Sequence, residues 1–230
     1  MTPWRFIPGD GNVLTIVDHA SNYIPEGIDL GIDPALLNTH IAWDIGAAAL
    51  AEALGFPTFL ATVSRLVIDF NREQYAPEVV PSFSDGAPIP GNNCDPSSRI
   101  ADFWSPYHLA LEHMISTMRP TLLVSLHSFT PNLSSRPDEA RPWEIGILYN
   151  RDDRAARVAI ALLEAVGVNV GDQLPYSGKI LNATMNRHGE TTGTPYLGLE
   201  VRQDLIDTTN GVTKWARILL PVIEKCVKQL

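Results

Sequence analysis

Short apolar, β-rich runs alternate with segments of helical periodicity along almost the whole chain, and that alternation most limits what the chain can fold into. The runs 12–18, 56–63, 66–70, 121–126, 144–149 and 196–201 read as buried strands. Between them, 34–54, 98–119, 152–166 and 212–229 read as helices. Asp33-Pro34 is a helix start, Gly55 a helix stop, and Pro221 a kink in the last helix. Strands alternating with helices imply one α/β domain spanning 1–230, with a mostly parallel sheet covered on both faces. Two stretches resist assignment. Residues 73–99 and 171–195 are rich in turn formers and long for structureless loops, which points to segments closing over a small molecule.

In such folds ligands sit beyond the carboxyl ends of the strands. His19, His127 and Glu200 lie at or near predicted strand ends, and Asn71-Arg72 follows a fourth. Imidazole is a common zinc ligand, and Asn22 offers an oxygen three residues after His19. Each histidine could instead be satisfied by a backbone hydrogen bond. Glu200 stands inside Leu-Gly-Leu-Glu-Val-Arg, where a buried acid needs a partner: an ion pair with Arg65 or Arg202, or a role as general base. Strand alternation from 64 to 72 places Arg65, Val67, Asp69 and Asn71 on one face; arginine there suits carboxylate capture, or simple pairing with Asp69. Asp44, in mid-helix among apolar residues, could orient a ligand histidine, be a ligand itself, or lie on a solvated face.

Other chemistries lack their residues. There is no GxxxxGK[ST] loop, no GxSxG elbow and no GxGxxG after a strand. The net charge of −9, without a Lys/Arg run, argues against a nucleic-acid surface. Cys94 and Cys226 form no disulfide framework or metal knuckle and are expected as free thiols. His108 and His113, five apart, are read as ordinary core or surface histidines. No signal peptide or apolar span of about 18 residues is evident, so a soluble cytoplasmic protein without membrane contact is expected.

Six segments together resemble the N-formylglutamate amidohydrolase family: His-Ala-Ser-Asn-Tyr-Ile-Pro (19–25), Ala-Trp-Asp-Ile-Gly-Ala (42–47), Ser-Arg-Leu-Val-Ile-Asp-Phe-Asn-Arg (64–72), Asp-Gly-Ala-Pro-Ile-Pro-Gly-Asn (85–92), Leu-His-Ser-Phe-Thr-Pro (126–131) and Leu-Glu-Val-Arg-Gln-Asp-Leu (199–205). The resemblance implies a three-layer α/β/α domain with a mixed sheet, similar to zinc carboxypeptidases and aspartoacylases. It implies Zn2+ on His19, His127 and a third ligand, Glu200 activating water, Arg65 at the oxyanion, and Asn71 and Arg72, with Asp69 in their motif, on the substrate carboxylate. The wider group carries a glutamate where this chain has Asn22, so Asn22 or another acid such as Asp44 would complete the metal site. The implied substrate is an acidic N-acyl amino acid, N-formyl-L-glutamate first. The alternatives are a hydrolase for another N-acyl amino acid, a peptidase, and a carboxylate-binding relative that has lost its metal. The sequence says nothing of oligomeric state.

Overall fold

The computed structural model describes residues 1–230 and is built on a seven-stranded sheet. In chain order the strands are β1 (Trp4–Ile7), β2 (Val13–Val17), β3 (Thr58–Ala61), β4 (Phe83–Ser84), β5 (Ala87–Pro88), β6 (Leu122–Phe129), β7 (Ile145–Leu148), β8 (Val170–Asp172) and β9 (Tyr196–Arg202). The helices are α1 (Ala47–Leu54), α2 (Ser97–Arg99), α3 (Ser105–Met118), α4 (Arg154–Ala165), α5 (Ala183–Met185) and α6 (Thr209–Gln229). A π-helical turn, Ile100–Trp104, joins α2 to α3, and another, Asn186–Glu190, continues α5. The sheet runs β1-β3-β2-β6-β9-β7-β8. Its centre, β3-β2-β6-β9, is parallel; β1 and β7 join it antiparallel, and β8 runs parallel to β7. The sheet is therefore mixed and mostly parallel, as expected.

Side-chain alternation along the strands creates two cores. Val13 and Val17 of β2, Leu122, Val124 and Leu126 of β6 and Leu197, Leu199 and Val201 of β9 pack with α1, α4 and α6. Leu14 and Ile16, Leu123 and Tyr196 point the other way and pack with α3 and Trp104. This gives the three layers. On β6, His127 follows Leu123 and Ser125 on the α3 side, and Glu200 follows Tyr196 and Gly198 on β9. The parallel register sets His127 directly against Glu200, so both side chains leave the same face at the same height.

Three predicted elements differ. The helix expected over 34–54 is a 3-10 turn at Pro34–Asn38, then irregular turns, then α1, so Asp44 sits in a turn and not in mid-helix. The break centres on Gly46, which has φ 82° and passes so close to Ile206 that an added Cβ would lie 2.3 Å from its carbonyl oxygen. A strand was expected at 66–70, yet the chain there turns on itself: the Val67 and Ile68 amides donate to the Ser64 carbonyl and the Arg72 amide to Asp69. The face alternation read for 64–72 does not hold there. Finally, β6 runs on to Phe129, so His127 is inside the strand and not past its end.

The segment 73–99 contains the β4–β5 hairpin, whose turn residues Asp85 (φ 43°) and Gly86 (φ 80°) are both left-handed, the signature of an Asp-Gly type I′ turn. Cys94 is exposed and Cys226 buried, and both are free. No helix is long and apolar enough to cross a membrane. Gly46→Ala is expected to cost about 2–4 kcal/mol, because it combines positive-φ strain with a backbone clash. Thermal unfolding should show a Tm lower by roughly 5–15 °C for a chain of this size.

Candidate metal and active centre

His19, Asp44 and His127 converge at the carboxyl edge of the parallel strands, each buried, with ligand atoms all within 4.8 Å of one another. His19 follows β2 by two residues. Asp44 is drawn in by its turn, where its amide donates to the His19 carbonyl at 2.9 Å. The inward atoms form a small triangle. His127 Nδ1 is 3.2 Å from His19 Nδ1 and 2.9 Å from Asp44 Oδ2, and His19 Nδ1 is 3.4 Å from the same oxygen.

The outward nitrogen of each ring faces a carboxylate. His19 Nε2 donates to Asp69 Oδ1 at 2.7 Å, and His127 Nε2 faces Asp18 Oδ2 at 3.5 Å. Asp18 is itself held by the Tyr107 hydroxyl, which donates to its Oδ1 at 2.7 Å. When the Nε2 protons point outward to these carboxylates, both Nδ1 atoms present lone pairs to the triangle, the arrangement that metal binding requires. Two imidazole lone pairs and a carboxylate oxygen at such separations repel one another unless a cation lies among them. Ligands at 2.0–2.1 Å around tetrahedral zinc stand about 3.3 Å apart, close to the observed edges. The donor set therefore fits zinc: two neutral imidazoles, one carboxylate and a carboxylate behind each imidazole. Charge balance agrees. Burial opposes a positive charge on His127, yet the neighbouring Asp18 and Asp44 carboxylates outweigh it and hold the ring well above its usual value. The centre attracts positive charge.

Glu200 is 8 % exposed and opens into the same cavity. The pairings considered from the sequence are taken elsewhere. Arg202 binds Asp204 at 2.8 Å, and Arg65 binds Asp69 at 2.7 Å and reaches Asp44 at 3.4 Å. Glu200 is left with no hydrogen-bond donor from the chain, and burial pushes its pKa up to about 7. Arg65 lines the cavity beside it, its own pKa raised: burial opposes the charge, but Asp69 and Asp44 overcome that.

Asn71 and Arg72 also line the cavity. The Thr184 amide donates to Asn71 Oδ1 at 3.0 Å, which leaves the side-chain NH2 as the group free for a ligand. Asp69 does not line this cavity. Its oxygens accept from His19, Arg65 and the Asn71 amide, so it supports three site residues from behind. Asn22 is likewise outside the cavity; its side-chain amide donates to the Leu37 carbonyl at 2.9 Å, and the third donor beside the histidines is Asp44.

Several contributors carried no sequence signal. Asp18 reads as the last residue of a strand, and only its contact with His127 reveals it. His40 lines the cavity and meets Asp85 at 3.1 Å, while Asp85 also accepts from the Ser134 and Ser135 amides, tying the hairpin tip to the loop after β6. Arg141, almost wholly buried, donates to the Tyr176 hydroxyl at 3.0 Å, and Tyr176 forms part of the cavity wall. The Asp-Gly pair at 85–86 is a legible hairpin signal; Asp18, His40, Arg141 and Tyr176 have none.

A family model described as N-formylglutamate amidohydrolase matches residues 11–207. Among solved structures, a gene product of Agrobacterium tumefaciens is 29 % identical with a TM-score of 0.93, over 99 % of this chain and 96 % of that one. An N-formylglutamate amidohydrolase from Ralstonia eutropha JMP134 is 18 % identical with a TM-score of 0.71, over 99 % of this chain and 98 % of its own; at that identity the likeness speaks for the fold. Comparison with curated proteins gives no match.

Proposed function

Because the chain belongs to the N-formylglutamate amidohydrolase family, and is thus an amidohydrolase, we propose that it is a zinc-dependent enzyme that cleaves N-acyl acidic amino acids. N-formyl-L-glutamate, giving formate and L-glutamate, is the first candidate. The observation that carries this reading is the meeting of three inward-facing acceptors, His19, Asp44 and His127, with the unpartnered carboxylate of Glu200 in one cavity.

His19, His127 and Asp44 would hold the zinc, with Asp69 and Asp18 fixing the two imidazoles. The chemistry such an ion supplies is Lewis acidity, which polarises a carbonyl and acidifies water. Glu200 takes the proton of the attacking water and passes it to the leaving amine nitrogen. Its freedom from hydrogen-bond donors suits it to both steps, since no fixed donor competes for its lone pairs. Arg65 presents positive charge toward the oxygen that becomes anionic as the carbonyl is attacked. The Asn71 amide and the Arg72 guanidinium grip the amino-acid carboxylate and set the scissile bond over Glu200.

Formate release from N-formyl-L-glutamate by the zinc-loaded protein tests the proposal, with N-acetyl and N-formyl derivatives of glutamate and aspartate alongside. Failure to cleave any of them with metal supplied would sink it. The alternative of a metal-free carboxylate binder arose from Asn22 in place of a glutamate; Asp44 beside the two histidines supports the enzyme reading instead. Arg72→Ala is expected to raise KM by about 10²-fold with a smaller change in kcat, because binding of the carboxylate is lost in ground state and transition state alike. Arg72→Lys should recover only part of this, since an ammonium cannot reproduce a two-point grip. Steady-state kinetics on the three forms check both statements.

A further inference from the structure

His108 and His188 are buried, 3 % and 2 % exposed, and take no part in the centre described above. His108 lies on α3 and His188 in the π-helical turn after α5. Their ring centroids are 5.2 Å apart with 14° between planes, so the rings lie edge to edge and nearly coplanar. His108 Nδ1 is 2.9 Å from His188 Nε2, and His108 Nε2 is 3.0 Å from the Phe70 carbonyl oxygen. A carbonyl can only accept, so His108 Nε2 carries the proton and its Nδ1 is a lone pair. His188 Nε2 must then be the donor to it. Each ring has one permitted tautomer, and the two bonds point in one direction, from His188 through His108 to Phe70.

Phe70 immediately precedes the pair Asn71-Arg72. The helical segments that lead into these two elements, α5 and the π-helical turn Ile100–Trp104, hold the rest of that segment. The Thr184 hydroxyl donates to the Phe70 carbonyl at 3.4 Å and the Thr184 amide to Asn71 Oδ1 at 3.0 Å. Trp104 Nε1, from the π-helical turn before α3, donates to the Arg72 carbonyl at 3.1 Å, and its ring lies 4.1 Å from that of His108. Residues 70–72 are not in a strand, so no sheet ladder supports their carbonyls. Side chains from outside do so for Phe70 and Arg72.

We propose that His108 and His188 are positioning residues for the carboxylate-binding pair Asn71-Arg72, acting through a one-directional hydrogen-bond chain that ends on the Phe70 carbonyl. The inference rests on the reading of Asn71 and Arg72 given above. Burial, which lowers His108 to about 4 and His188 to about 3, keeps both rings neutral near pH 7, so the chain keeps its direction there.

The test uses the zinc-loaded full chain and three variants: His108→Phe, which fills the space without a donor; His108→Gln, which retains a donor and an acceptor; and His188→Phe, which removes the first link and serves if His108→Phe does not fold. For the phenylalanine variants KM for the N-acyl amino acid should rise about 10-fold with kcat within about 3-fold, and His108→Gln should restore KM to within about 3-fold of wild type. Calorimetric binding of L-glutamate should weaken in parallel, which reads the grip on the carboxylate without turnover. Imidazole 15N NMR of the wild type should show protons on Nε2 of both residues and none on their Nδ1 atoms. Folded phenylalanine variants with unchanged KM and unchanged glutamate affinity overturn the proposal, as does the opposite tautomer on either ring. A wild type that binds glutamate but hydrolyses no N-acyl amino acid defeats the proposed function alone, while the affinities still decide the positioning role; a wild type that does neither defeats both.

Discussion

His127→Ala is expected to lower kcat/KM by at least about 10³-fold and to leave the purified protein without a stoichiometric metal ion. The reasoning starts at the triangle. His127 Nδ1 supplies its two shortest edges, 3.2 Å to His19 and 2.9 Å to Asp44. Without that ring only one imidazole and one carboxylate remain, too few for the three protein ligands of a catalytic zinc site. The loss should exceed the roughly 10–100-fold that follows removal of a residue behind a metal ligand, because the ligand itself is gone. The substitution also leaves Asp18 and Asp44 facing an empty space in the interior, a further cost in stability. Metal analysis, kinetics and circular dichroism on the same sample separate the effects. A folded variant that retains both metal and activity would remove the centre from the mechanism. Chelation of the wild type should act in the same direction, lowering Tm as the ligand-linked stabilisation disappears.

Glu200→Gln should reduce kcat by about 10²–10⁴-fold, the range that a positioned general base contributes. The change is nearly isosteric, and Glu200 accepts no hydrogen bond from the chain that an amide would disturb, so KM should move by no more than a few-fold and the fold should persist. Removing a carboxylate from a site where burial disfavours its charge should leave Tm unchanged or raise it. Loss of activity joined to equal or greater stability is the combination that marks a catalytic group; a structural group would show the reverse. Retention of more than about a tenth of wild-type kcat would transfer the proton-moving role to another residue.

Much of the site was visible in the sequence because strand ends are local features. An apolar β-rich run followed by a histidine or interrupted by a glutamate can be read without knowing its neighbours, and in a parallel sheet every such end reaches one edge. His19, His127 and Glu200 stand out for that reason. Asp44 was harder. Its local sequence is helical in character, and it became a metal-ligand candidate only as one of several readings. What moved it to the centre was a tertiary constraint, the close pass of Gly46 against Ile206, which outweighs helix propensity over 39–46. The 64–72 segment shows the same conflict. Its alternation reads as a strand, but Arg65 and Asp69, which a strand would hold about 13 Å apart at 3.3 Å per residue, meet at 2.7 Å.

The alternation of strands and helices, the covered and mostly parallel sheet, the family and the types of group at its carboxyl edge were legible in the sequence, since each depends on short-range periodicity or on motifs contiguous in the chain. Which of those groups touch was not, because contact between residues 19, 44 and 127, or between 108, 188 and 70, depends on strand register and on the turns between elements. Register and turn geometry are fixed by packing summed over the whole interior. The direction of a hydrogen bond is decided last, by the carboxylate behind His19 and the carbonyl beyond His108, which can only accept.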